Sequence, residues 1–320
     1  MGGDAGSRAG RKTRLLVLTK GSPMSVAANA ATRWALTDVS SSMIYESRSA
    51  STVARVHTVQ GTSAYLKATP VGAGPTALAA ARRELAFYRH VASGLPGVAP
   101  QLLETHEDEE GLALLLEDAG GILQATEWDE TQWKSLATTI HRVHGADVEG
   151  RPEFSHPTEL DTALVQIGSG VANFWVGVIP ALADVLDVLR WKLPNLLVHD
   201  AFVHGDLHID NVICASDGNT LRISDWQQCG MGAAIADLAF VNVRLSPSGR
   251  TSPDSFLEAY AAVSGDELDE LRRSVAFLEL ATYVLVWPPF AAYNSPAGIA
   301  AVQSRAAELA RSAMTDAGAA

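Results

Sequence analysis

The stretch Val203-His204-Gly205-Asp206-Leu207-His208-Ile209-Asp210-Asn211-Val212-Ile213 decides how the chain is read. Ala201, Phe202 and Val203 lead into it and Val212 and Ile213 lead out, so a polar centre lies between apolar flanks. This pattern predicts a loop held between two buried strands, where rigid flanks position the polar groups. Asp206 can accept the proton of an attacking hydroxyl, and Asn211, five residues on, can ligate a magnesium ion. A short strand, Leu221-Arg222-Ile223-Ser224, then ends in Asp225-Trp226, whose carboxylate can bridge a metal to nucleotide phosphates. A proton acceptor, an amide and a metal carboxylate in this order are the parts that phosphoryl transfer needs.

The same order occurs in the catalytic loop of protein kinases and the metal-binding Asp after it. The strings VHGDLHIDNVI (203–213) and ISDWQQCGMGAAIADLAF (223–240) resemble the aminoglycoside phosphotransferase and choline-kinase-like superfamily, in its antibiotic phosphotransferase branch. The resemblance implies a bilobal α+β, protein-kinase-like fold. Its N-terminal lobe is an antiparallel sheet with a helix, and its C-terminal lobe is larger and mainly helical. It also implies small-molecule phosphorylation, with Asp206 as catalytic base, Asn211 and Asp225 as Mg2+ ligands, and ATP or GTP as donor. Asp237 of Asp237-Leu238-Ala239 takes the place of the residue that braces the catalytic loop in that family. One competing reading uses the alternation His204, Asp206, His208, Asp210 as a hydrolytic zinc site, which takes three or four such ligands. The other seven histidines are scattered, so no second cluster supports it. His204 is read as a packed, hydrogen-bonded residue, and Asp210 as a loop or substrate-side carboxylate.

Composition narrows the classes. The 320 residues suffice for two lobes, and a 47% hydrophobic content supplies their cores. A net charge of -12 argues against a nucleic-acid partner, which needs a basic footprint. Two cysteines, Cys214 and Cys229, do not make a disulfide framework. The basic residues 8–14 precede an apolar run too short for a secretory segment, and residues 275–287 are too few to span a membrane. These features predict a cytoplasmic protein without a membrane partner, as monomer or homodimer.

Along the chain, residues 1–22 read as a flexible tail, 23–118 as a nucleotide-binding lobe and 119–320 as a catalytic and substrate-binding lobe. Ser22 and Pro23 are a helix start, with Val26, Ala30 and Trp34 on one face. Residues 43–69 alternate with period two and predict a hairpin with its tip near Ser49, then a third strand over 64–69. In the kinase resemblance that tip covers the phosphates. It has serines where the family's loop is glycine-rich, and an ordinary solvated tip is the other reading. Lys67, in the third strand, matches the family's phosphate lysine, and Glu84, on a predicted helix over 78–91, matches its partner. A second hairpin over 101–116 leads to Leu116 and Asp118, which resemble the hinge that borders the nucleotide base.

In the second lobe, Leu136, Ile140 and Val143 predict an amphipathic helix over 131–144, with His141 and His144 read as its surface histidines. Residues 150–195 are least like the family core and predict helices over 159–165, 172–178 and 180–192. Phe174, Trp175 and Trp191 there are either acceptor-pocket walls or packing aromatics. Gly168-Ser169-Gly170 is a turn. Asp254, Glu258, Asp266, Glu267, Asp269 and Glu270 are either a site for a cationic acceptor or a solvated face. Helices over 268–287 and 299–314 close the chain. The acceptor is thus expected to be a small-molecule hydroxyl, most directly that of an aminoglycoside, macrolide or nucleoside antibiotic. Kinases of choline, a sugar or an amino acid are the alternative, and a nucleotide-binding pseudokinase is the reading from another class.

Overall fold

The computed structural model describes residues 23–37, 45–46, 51–165 and 171–319. The chain divides into two compact units. One runs to Leu78 and adds Thr105–Leu114, and the other holds Ala79–Glu104 and the chain from Leu115 on.

The first unit is built on a sheet. After α1 (Pro23–Arg33) come β1 (Tyr45–Glu46), β2 (Thr52–His57) and β3 (Ser63–Pro70). With β4 (Leu102–Glu107) and β5 (Gly111–Glu117) they form a five-stranded sheet in the order β1-β2-β3-β5-β4. The β2–β3 pair is antiparallel, with Ala54 opposite Leu66 and Val53 opposite Lys67. Ala54, Val56, Ala64 and Leu66 are all buried, so the period-two pattern read from the sequence puts this row in the core. Helix α1 packs against β3 through Val26, Ala27 and Ala30. Gly111 opens β5 because a Cβ there would lie 2.3 Å from the Thr69 carbonyl oxygen. Ser49 falls in 47–50, outside the described residues.

The second unit is mostly helical. It takes most of α2 (Pro75–His90), then α3 (Glu130–His144), α4 (Glu159–Val165), α5 (Leu182–Leu196), α6 (Ala234–Leu245), α7 (Asp254–Ser264), α8 (Leu268–Leu285) and α9 (Pro296–Ala319). Helix α3 begins at a capping box. The Asp129 carboxylate accepts from the Thr131 and Gln132 backbone N–H groups, and the Gln132 side chain accepts from the Asp129 N–H. Its apolar face packs on α7, while α8 packs on α6, α7 and α9. Short strands finish the unit. β6 (Gly121–Ile122), β8 (Val212–Cys214) and β9 (Leu221–Ile223) form one sheet, and β7 (Ala201–Val203) pairs with β10 (Gly230–Gly232).

Most predicted elements occur within a few residues of their expected ends, and two differ. The helix expected over 172–178 is a 3-10 turn, Val171–Trp175, and Gly177 with φ 81° and Ala181 with φ 51° break the chain after it. Helix α5 continues past Lys192 to Leu196, with Pro194 in its last turn, where it removes one backbone bond and the helix ends two residues later. Trp175 is a packing residue: it is fully buried, stacks edge-on with Phe174, and donates its Nε1–H to the Val284 carbonyl at 3.2 Å. Trp191 is 70% exposed and lines an open groove with Lys192, Phe277 and Leu309. Cys214 and Cys229 are free thiols, both buried. Among the described residues no helix is long and apolar enough to cross a membrane.

Candidate active site

The loop 204–211 is fastened at both ends by strand pairing. Val203 pairs with Gly230, and Val212 pairs with Ile223. Gly205 has φ 79°, and a Cβ there would sit 2.3 Å from the Gln228 carbonyl oxygen, so the turn needs glycine. A carboxylate from the first turn of α6 holds the loop from behind. Asp237 Oδ2 accepts from the His204 N–H at 2.7 Å and Oδ1 from the Gly205 N–H at 2.9 Å. Oδ2 also lies 3.3 Å from His144 Nε2, and His144 Nδ1 lies 2.7 Å from the Tyr260 hydroxyl. Burial opposes the charge on Asp237, but His144, His204 and the backbone N–H groups outweigh it and hold the carboxyl below its usual range.

His144 is therefore not a surface histidine as the helix pattern suggests. It is buried and joins α3 and α7 to the brace. His204 is the packed residue expected. Its Nε2 meets the Ser224 carbonyl at 2.9 Å, and its Nδ1 accepts from the Asp206 N–H at 3.3 Å. Both ring nitrogens are thereby engaged within the protein, which argues against its use as a zinc ligand.

Asp206 and Asn211 are brought together. Asn211 Nδ2 donates to the Asp206 carbonyl at 2.9 Å and lies 3.5 Å from Asp206 Oδ2. His208, buried, places Nε2 3.8 Å from Asp206 Oδ2 and Nδ1 3.4 Å from Asp210 Oδ2. Burial pushes the His208 imidazole down, and the two carboxylates more than restore it, so its pKa is raised. Asp210 also pairs with Arg244 at 3.7 Å.

The Asn211 carbonyl accepts from the Ser224 N–H at 2.8 Å and the Ser224 hydroxyl at 3.1 Å, which ties this loop to the residue before Asp225. Asp225 adopts a left-handed conformation, φ 64° and ψ 59°. That costs a residue with a Cβ about 1 kcal/mol or more and persists only where the surroundings impose it. They do so through the next residues. Trp226 is fully buried, donates its Nε1–H to the Ile223 carbonyl at 2.8 Å, and stacks on Phe87 of α2 with centroids 3.7 Å apart. Arg83 Nη1 donates to the Gln227 carbonyl. The helix that carries buried Glu84 is thus latched to the segment that carries Asp225.

These residues suit a magnesium ion. With its amide nitrogen committed to Asp206, Asn211 has its amide oxygen left as a hard donor, and Asp225 follows the strand paired with β8. Mg2+ takes one or two such oxygens and completes its shell with phosphate and water. Among the described residues no three His, Cys, Asp or Glu side chains gather as a metal cage. Lys67 is buried in β3 and belongs to the first unit. Leu116 is buried near the end of β5, and Asp118 follows that strand.

A recess of about 400 Å³ opens beside Gly205, lined by His156, Thr158, Glu159, Thr162, Val286 and Phe290 among others. Glu159, at the start of α4, is exposed as a residue, but partial burial at the recess and then the charge of Asp206 raise its carboxyl pKa. Sequence reasoning named the aromatics of residues 150–195 and did not name Glu159 and His156, which line this recess. An acidic residue at a helix start is also an ordinary helix signal, so nothing local marks Glu159 out.

The model of the phosphotransferase enzyme family matches residues 44–278. Among solved structures the chain is similar to an amicoumacin kinase in complex with AMP-PNP, Ca2+ and Ami, at 15% identity over 90% of this chain and 93% of that one, with a TM-score of 0.64. It is similar to an ethanolamine kinase from Plasmodium vivax at 13% identity over 84% and 82%, TM-score 0.58. It is also similar to an aminoglycoside phosphotransferase from Alicyclobacillus acidocaldarius at 12% identity over 89% and 96%, TM-score 0.55. These likenesses show the fold, bilobal α+β and protein-kinase-like. No curated protein sequence matches the chain significantly.

Proposed function

The chain belongs to the phosphotransferase enzyme family, and from that premise we propose that it moves the γ-phosphate of ATP or GTP to a hydroxyl of a small molecule seated in the recess beside Gly205. The observation that carries this reading is the fixed pair Asp206 and Asn211 on a loop that Asp237 braces and whose Gly205, next to Asp206, lines an open recess.

Asp206 orients the acceptor hydroxyl and takes its proton as the oxygen bonds to the γ-phosphorus and the bond to the β-phosphate oxygen breaks, leaving ADP or GDP. Asn211 keeps Asp206 in place through its amide nitrogen. Asn211 and Asp225 hold Mg2+, which when bound neutralises charge on the transferring group. In this reading Lys67 is the residue that contacts the phosphates. The backbone near Leu116 and Asp118 borders the base, with the nucleotide-binding lobe over 23–118 and the catalytic lobe over 119–320. The transition state is loose, so positioning and charge supply most of the acceleration.

The acceptor is an antibiotic. The likeness to an amicoumacin kinase and an aminoglycoside phosphotransferase supports this, and Glu159 near Asp206 favours an acceptor with an amine close to its reacting hydroxyl. A metabolite amino alcohol is the second reading, favoured by the same carboxylate and by the ethanolamine kinase likeness. The enzyme works in the cytoplasm, where its donor is made.

The test is incubation of the purified protein with Mg2+ and ATP or GTP against antibiotics and amino alcohols, with mass spectrometry for one added phosphate. One product is expected, and Asp206→Ala should lower its rate by about a hundredfold or more. A variant with near-normal turnover overturns the assignment of Asp206.

A further inference from the structure

Tyr88 carries a polar group that neither the fold nor the proposed transfer uses. It lies on α2 one turn after Glu84, so the two side chains share a helix face. Its neighbour Phe87 stacks on Trp226, directly after Asp225, and Arg83 reaches the Gln227 carbonyl. Tyr88 is thereby held at the segment that presents Asp225. Its hydroxyl is buried from solvent and meets no hydrogen-bond partner among the described residues.

A buried hydroxyl without a partner destabilises a fold, and buried polar groups in proteins are almost always paired. A phenylalanine would fill the same space without that penalty. Burial first, and then the carboxylates of Glu84 and Asp225, raise the pKa of the phenol, so it stays a neutral O–H donor. A buried donor on the helix latched to the segment of the proposed cation-binding carboxylate has an evident chemical use. It can donate to an oxygen that arrives with the cation.

We propose that Tyr88 is a positioning residue of the metal site, its hydroxyl donating to a water in the shell of the cation held by Asp225. This rests on the proposed function, because it needs a divalent cation at Asp225. The residues next in line to metal ligands commonly change metal affinity by about tenfold or more when removed.

The test compares wild type, Tyr88→Phe, Tyr88→Leu and Asp225→Asn by thermal melting of the full chain. Each is titrated with Mg2+ at a fixed concentration of a non-hydrolysable ATP analogue, and separately with the analogue alone. The expected result for Tyr88→Phe has three parts. The ligand-free protein melts at or above the wild-type temperature, and the response to the analogue without Mg2+ is unchanged. The Mg2+ concentration giving half the stabilisation rises about tenfold. Tyr88→Leu should show the same rise, whatever its effect on the ligand-free melt. An unchanged Mg2+ midpoint in Tyr88→Phe overturns the proposal, as does a rise confined to Tyr88→Leu, which assigns the effect to ring packing. Weaker response to the analogue without Mg2+ also overturns it, because the hydroxyl then serves the nucleotide. If Asp225→Asn responds to Mg2+ as wild type does, the cation is not at Asp225, and the proposed function fails at that residue together with this inference.

Discussion

At the scale of single residues, two carboxylates of the candidate site have opposite environments. Asp237 is buried and fully engaged, accepting two backbone N–H groups of the loop 204–211 and facing His144. Asn at 237 keeps one acceptor but turns an amide N–H toward a backbone donor. Asp237→Asn should therefore cost about 3 kcal/mol of stability, the scale for breaking a buried, hydrogen-bonded charge. Urea unfolding measures this, and an unchanged midpoint would mean the loop holds itself. Because the folded carboxyl sits below its unfolded pKa, its contribution is complete above the ordinary carboxylate range. It is lost as pH falls from about 4 through the lower folded value. Glu159 is the reverse case, raised by partial burial and by Asp206. If its anion holds an acceptor amine, KM for that acceptor should fall as pH rises through the raised pKa. Glu159→Gln should raise KM about tenfold and flatten that pH dependence, while kcat changes less. A KM that keeps its pH profile in the variant would assign the titration to another group.

At the scale of elements, what is encoded locally is legible in the sequence, and what depends on distant partners is legible only where the family resemblance supplies it, as for Asp237. Leu136, Ile140 and Val143 repeat along α3, and the alternation through β2 continues in β3, so both carry their own signature. The loop 204–211 is legible because its chemistry and apolar flanks are contiguous. His144 is not, because its partners Tyr260 and Asp237 lie 116 and 93 residues away and nothing in α3 announces them. The left-handed Asp225 is equally silent, since the stack and hydrogen bonds that impose it come partly from α2. The joint of α6, α8 and α9 has the same character. Glu279 is fully buried, paired by Arg305 at 2.8 and 3.1 Å, and bonded by Tyr283 at 3.1 Å and Asn242 at 3.3 Å. Removing the cation strands the carboxylate. Arg305→Ala should thus cost about 3–5 kcal/mol, and adding Glu279→Gln should recover part of it. Guanidinium unfolding of Arg305→Ala, Glu279→Gln and the double variant measures this. A double variant less stable by the sum of the two single losses would show that the pair is not coupled.

At the scale of the whole molecule, 36 acidic against 24 basic side chains leave a charge of -12. That field acts on both proposed substrates with opposite sign. An amine-bearing acceptor is drawn to the protein as a whole, and an anionic nucleotide is repelled by it. Such long-range terms fade over about 10 Å at 0.1 M salt, whereas contacts inside the recess are screened far less. Raising potassium chloride from about 20 to about 200 mM should therefore raise KM for a cationic acceptor a few-fold. It should leave KM for the nucleotide unchanged or lower it, and leave kcat nearly constant. The opposed slopes are the informative part. A perturbation of the fold would move both constants the same way and would lower kcat as well. A neutral acceptor such as a sugar should show no slope at all, so initial rates at four or five salt concentrations separate a cationic acceptor from a neutral one.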